Sequence, residues 1–126
     1  MNQFFLVAIG GGVGAVLRHG VNLLALRWLG PSFPWGTMGI NVIGSFAMGV
    51  FIELLTRRYG GSNELRLFVA TGILGGFTTF SAFSLEFAVL AERGTLGLAL
   101  FYALGSVVLS ISALFVGLWL VRTLGL

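Results

Sequence analysis

The stretch Thr71-Gly72-Ile73-Leu74-Gly75-Gly76-Phe77-Thr78-Thr79-Phe80-Ser81-Ala82-Phe83-Ser84 decides how this chain is read. It lies inside an apolar segment from about residue 65 to 91, and a membrane span needs roughly 20 such residues. Adjacent glycines followed by hydroxyl residues weaken a helix in its middle. Non-helical backbone at membrane depth survives only when it is buried in protein or lines water. A break here would free carbonyls that can coordinate a cation, with half-helix dipoles beside them. The same residues also suit an unbroken helix, because Gly72 and Gly76 fit a small-xxx-small packing face. Spacing alone leaves both readings open.

The rest of the chain supports a membrane setting. Of 126 residues, 57% are hydrophobic and 9% charged, against about a quarter charged in a soluble domain. The charges are seven Arg and four Glu, with no Lys or Asp. So few cannot coat a water-facing surface. The net charge of +3 therefore reads as arginines at helix ends near headgroups, not as a nucleic-acid footprint. With no cysteine, disulfides, thiolate metal sites and cysteine nucleophiles are excluded.

Four spans are expected, at about residues 4–26, 35–55, 65–91 and 95–121, making one all-α four-helix membrane domain over residues 1–126. Gly30-Pro31-Ser32-Phe33-Pro34 and Gly60-Gly61-Ser62-Asn63 separate the first three. The N-terminus lacks a basic region and a small-residue cleavage site, so the first segment is expected to stay as a span. Strands are excluded by the length of the runs and their lack of alternation. Arg57, Arg58, Arg66 and Arg122 fall on one side, and Arg27, Arg93 and possible depth residue Arg18 on the other. This weak bias permits insertion in both orientations, and hence an antiparallel homodimer, or a single orientation with cytoplasmic termini.

Polar residues within the spans are the candidate site. Thr37, Asn41 and Ser45 share one face of the second span, as interhelical glue or as pore-lining donors. Phe80 and Phe83 stand three apart, flanked by Phe77 and Phe87. Such a stripe serves as core, as a lipid-facing surface, or as electron-poor ring edges turned to an anion. Weak attraction of that kind suits conduction, since a tightly held ion does not leave. Tyr102, Ser106 and Ser110 repeat every four residues as a hydroxyl track, and Ser112 falls off it. Arg18 and Glu86 are ionisable groups at depth, functional suspects unless they snorkel to an interface. His19 reads as an interfacial residue, and no metal constellation is visible.

Taken together, these segments resemble the Fluc, or CrcB, family of bacterial fluoride channels over essentially the whole chain. The resemblance rests on Gly75 through Glu86, on the Gly36-Thr37 opening with Asn41, on the Tyr102/Ser106/Ser110 track, and on Arg18 after Gly10-Gly11-Gly12-Val13-Gly14. It implies a multi-pass protein of the bacterial cell (inner) membrane, forming a dual-topology antiparallel homodimer with a broken third helix. Two fluoride pathways would each be built from both subunits. Phe80 and Phe83 would meet fluoride through ring edges, Asn41 would donate at the vestibule end, and Tyr102, Ser106 and Ser110 would form the track. Carbonyls of Gly75 and Thr78 would hold a central structural sodium ion. Arg18 and Glu86 would stand at a mouth or behind the pathway. Passive efflux would then remove fluoride that enters as HF and dissociates in the cytoplasm.

The competing function is a small proton-coupled multidrug exporter. It needs a titratable carboxylate in the first helix, and the first segment has neither Asp nor Glu. A structural protein would explain the small residues but not the coincidence of weakened helix, paired Phe and hydroxyl track. Enzymatic activity is not expected, since no nucleophile–base pair is present.

Overall fold

A computed structural model describes residues 2–126. Every regular element among them is helical. Helix α1 (Gln3–Leu29) is started by Asn2, whose Oδ1 accepts from the Phe4 N–H at 2.7 Å, and ends at Gly30, whose φ of 79° suits glycine. Helix α2 (Trp35–Arg58) begins after Pro34. The third segment starts as α3 (Asn63–Leu65), widens into a π-helical run over Arg66–Leu74, and closes with α4 (Gly75–Phe77). Helix α5 (Ser81–Glu92) follows, and a tight turn through Gly94 leads to α6 (Leu96–Leu124).

Among the described residues, four stretches are long and apolar enough to cross a membrane: Gln3–Leu29, Trp35–Arg58, Asn63–Glu92 and Leu96–Leu124. Each reaches past the apolar run that marks it in the sequence. Helix α2 continues through Arg57 and Arg58, because cations favour a helix C-terminus and the backbone stays hydrogen-bonded into the headgroup region. Most large apolar side chains on the outer faces are exposed, from Phe4 and Val16 to Phe115 and Trp119. That suits a surface whose solvent is lipid.

Backbone proximity holds the four stretches together. Helix α1 packs against the π-helical run and α4, and α2 against α6. A Cβ at Gly14 would strike the Ile73 carbonyl oxygen, and one at Gly49 would strike that of Leu114. Where lipid is as apolar as leucine, such close approach is the main source of interhelical attraction. The larger side chains gather at the other end of the bundle, where Phe33, Met38, Leu90, Ala99 and Tyr102 form a cluster with Phe83 and Phe87 against it.

Candidate functional site

Helical geometry stops at Phe77, and Thr78 is extended (φ −80°, ψ 157°) before α5 resumes at Ser81. Upstream, the π-helical turn already strains the ladder, and the Gly75 N–H reaches back five residues to Ala70 O. At the interruption, side chains take over the backbone's hydrogen bonds. The Thr79 N–H donates to Asn41 Oδ1 at 2.9 Å, and Asn41 Nδ2 donates to Thr79 O at 3.0 Å. Thr79 Oγ1 accepts from the Ala82 N–H at 3.2 Å and so caps α5. Arg18 Nε donates to Gly76 O at 3.1 Å from across the α1 contact.

These bonds leave two carbonyls without their helical donors. In a continuous helix Gly75 O would take the Thr79 N–H and Thr78 O the Ala82 N–H. Both donors are engaged elsewhere, by Asn41 and by Thr79 Oγ1. No cluster of His, Cys, Asp and Glu that could hold a metal exists among the described residues. The two freed carbonyls are oxygen donors of the type a hard monovalent cation takes, and two of them make up only part of such a site.

Beside the interruption lies a groove of about 570 Å³, walled by α2, α5, α6 and the Thr78–Phe80 linker. Asn41, Phe80, Phe83, Ser106 and Ser110 all line it, as do Gly75 and Thr78. The rings of Phe80 and Phe83 stand 5.5 Å apart at 46°, with Phe80 76% exposed. In the same lining, the hydroxyls of Ser106 and Ser110 are buried and have no hydrogen-bond partner among the described residues. A helical Ser can satisfy itself on the carbonyl four residues back, and neither does. Leaving such a group unpaired costs roughly 1–3 kcal/mol, so two residues of the groove lining carry unsatisfied hydroxyls.

Ser45 also lines the groove, whereas Tyr102, Glu86, Arg18 and Thr37 lie outside its lining. Tyr102 is fully buried behind Phe83, with ring centres 5.1 Å apart, and its hydroxyl donates to Glu86 Oε1 at 3.5 Å. The hydroxyl track thus divides: Tyr102 turns to Glu86, while the two serines face the groove. Glu86 borders a separate hollow of about 360 Å³ together with Asn22, Phe33 and Thr37. Arg18 serves the linker from behind through Gly76.

Spacing does not show what three contributors meet. Thr79 makes both backbone bonds to Asn41, and only its cap spacing to Ala82 is visible in the sequence. Thr37 is buried where α2 meets Glu86 and Tyr102. Phe33, in the loop before α2, meets Tyr102 edge-on; nothing local signals that contact.

A family model described as CrcB-like protein, Camphor Resistance (CrcB), matches residues 5–118. The chain belongs to this family. Among its CrcB relatives, one from Mesorhizobium japonicum is 64% identical over 124 residues, 98% of this chain and 99% of that protein. Others from Chelativorans sp. and Agrobacterium fabrum are 57% and 55% identical with the same coverage. All three bear the name fluoride-specific ion channel FluC. With its four apolar helices, this CrcB-family chain is a multi-pass membrane protein.

Proposed function

We propose that this protein is a fluoride-selective channel that lets fluoride leave the cytoplasm passively. The observation that carries the reading is one groove whose lining joins two phenyl rings with two serines whose buried hydroxyls have no partner among the described residues. A relative of 64% identity and near-complete coverage bears the matching name. Fluoride is small and strongly hydrated, so a pathway must replace its water with donors. Ser106 and Ser110 supply O–H groups, Asn41 has a second amide hydrogen beyond the one given to Thr79, and the ring edges of Phe80 and Phe83 add weak positive potential. None of these groups is a full charge, which keeps binding loose enough for release.

The functional unit in this reading is two antiparallel copies. The groove is open along one side and Phe80 is largely exposed, so a second chain is needed to enclose an ion. Gly75 is exposed as well, and its carbonyl and that of Thr78 furnish only half of a four-oxygen cation site. Two chains related by a twofold axis would hold a sodium ion with both pairs. The ion would supply a fixed positive charge that ties the linkers together. The interruption at Thr78–Phe80 is then a functional break in the third helix. Arg57, Arg58, Arg66 and Arg122 against Arg27 and Arg93 leave only a weak preference for one orientation. The membrane is the bacterial cell membrane.

Proton-coupled export has no support in α1, which has no Asp or Glu, and Glu86 sits behind Tyr102 away from the groove. The decisive experiment uses purified protein in liposomes loaded with fluoride and chloride. Fluoride should leave electrogenically while chloride stays, and Phe80→Ile or Phe83→Ile should sharply cut the flux with the assembly intact. Retention of fluoride by correctly reconstituted protein would refute the proposal.

A further inference from the structure

We infer that Phe33, in the loop joining α1 and α2, is a positioning residue for the pathway: it holds Tyr102 edge-on and, through Tyr102, the ring of Phe83. The inference rests on the proposed conduction and adds a residue on no membrane-spanning helix.

Phe33 is 7% exposed although it belongs to a connecting loop. The loop reaches inward because Pro31 and Pro34 restrict its backbone on either side and the Trp35 N–H closes on Phe33 O at 2.8 Å. Near the headgroups water is available, so burying this ring removes apolar surface from water. Its neighbours form a continuous series. Trp35 lies 4.5 Å from Phe33, Phe33 lies 5.5 Å from Tyr102 at 88°, and Tyr102 lies 5.1 Å from Phe83. Phe80 follows at 5.5 Å from Phe83. Rings from the membrane surface to the groove therefore touch in sequence.

Tyr102 is the link with least freedom and most to lose. One side of its ring faces the groove phenylalanine, its hydroxyl reaches Glu86 at 3.5 Å, and Phe33 closes the remaining side edge-on. An edge-to-face pair at this separation has a defined geometry that an aliphatic side chain does not reproduce. Without the Phe33 ring a void opens beside Tyr102. The tyrosine can then swing from Glu86, and Phe83 loses the surface that fixes its own rotamer. Ring-edge contact with an ion depends on that rotamer.

The test joins flux with ring motion. The chain has two tyrosines, and Tyr59, 57% exposed, is an internal reference for Tyr102. In ring-labelled wild-type protein, NMR should find Tyr102 flipping far more slowly than Tyr59. Phe33→Leu should speed the Tyr102 flips and lower fluoride flux by between about two- and tenfold, the scale of one aromatic pair. Phe33→Tyr should restore both. In a Tyr102→Leu background, Phe33→Leu should lower flux no further, because the residue it acts through is gone. Equal losses in both backgrounds would reduce Phe33 to packing and overturn the inference, as would wild-type flux in Phe33→Leu. If Phe33→Leu does not assemble, the wild-type measurement still decides: a Tyr102 ring as mobile as that of Tyr59 refutes the contact. A wild type that passes no fluoride overturns the conduction reading itself, and the flip rates separate that failure from loss of the contact.

Discussion

Asn41 and Thr79 form a closed pair across the bundle, the amide oxygen accepting from the Thr79 N–H at 2.9 Å and the amide nitrogen donating to Thr79 O at 3.0 Å. The side chain thus mimics a neighbouring peptide and satisfies both backbone groups of a residue that has left its helix. Asn41 cannot be read as a free pore donor alone. It first makes the linker possible.

Asn41→Ala should therefore destabilise the protein as well as impair flux. Two partly buried backbone groups lose their partner, for a cost of about 2 kcal/mol or more. Asn41→Asp keeps the acceptor for Thr79 N–H but cannot donate when ionised, so it should be intermediate in stability. Thermal unfolding in detergent, read beside liposome flux, checks the order wild type, Asp, Ala. An Ala variant as stable as wild type would contradict the pairing.

Ser106 and Ser110 should behave in the opposite way. Their hydroxyls are buried and unpartnered, so Ser106→Ala and Ser110→Ala remove a liability and should leave stability unchanged or slightly raised, within about 1 kcal/mol. Fluoride flux should fall in both. Stability and flux moving in opposite directions is the signature of groups kept for a ligand. A loss of stability without a loss of flux would assign the serines to packing.

The freed carbonyls of Gly75 and Thr78 predict a cation effect that needs no mutation. Replacing sodium with a large organic cation should lower the melting temperature of the assembly. A ligand at a hundredfold its dissociation constant stabilises by about 2.7 kcal/mol. Titrating sodium back should restore it along a saturable curve. Identical melting in both salts would remove the ion from the site.

Topology can be tested directly because the chain has no cysteine. A single cysteine at exposed Asn63 (Asn63→Cys) should react with an impermeant reagent on about half of the chains in sealed vesicles, as expected when the arginine bias is weak and the pair is twofold-related. Labelling of all chains or of none would mean one orientation.

What the sequence alone determined is what depends on nearest neighbours along the chain. Four apolar runs separated by Gly30-Pro31, Gly60-Gly61 and Arg93-Gly94 set the number of helices, because bilayer thickness acts on each run separately. The weak point at Gly75–Thr79 was legible for the same local reason, and so was the shared helix face of Ser106 and Ser110. Helical spacing says which residues share a face but not what that face meets. Rotation about each axis follows from glycine seams such as Gly14 on Ile73 and Gly49 on Leu114, where backbones approach only one way. Tertiary structure therefore decided that Asn41 meets Thr79, 38 residues on, and that Arg18 serves Gly76, 58 residues on. It also turned Tyr102 from the serine line toward Glu86, and folded Phe33 out of its loop against the Tyr102 ring. These contacts are settled by packing between helices.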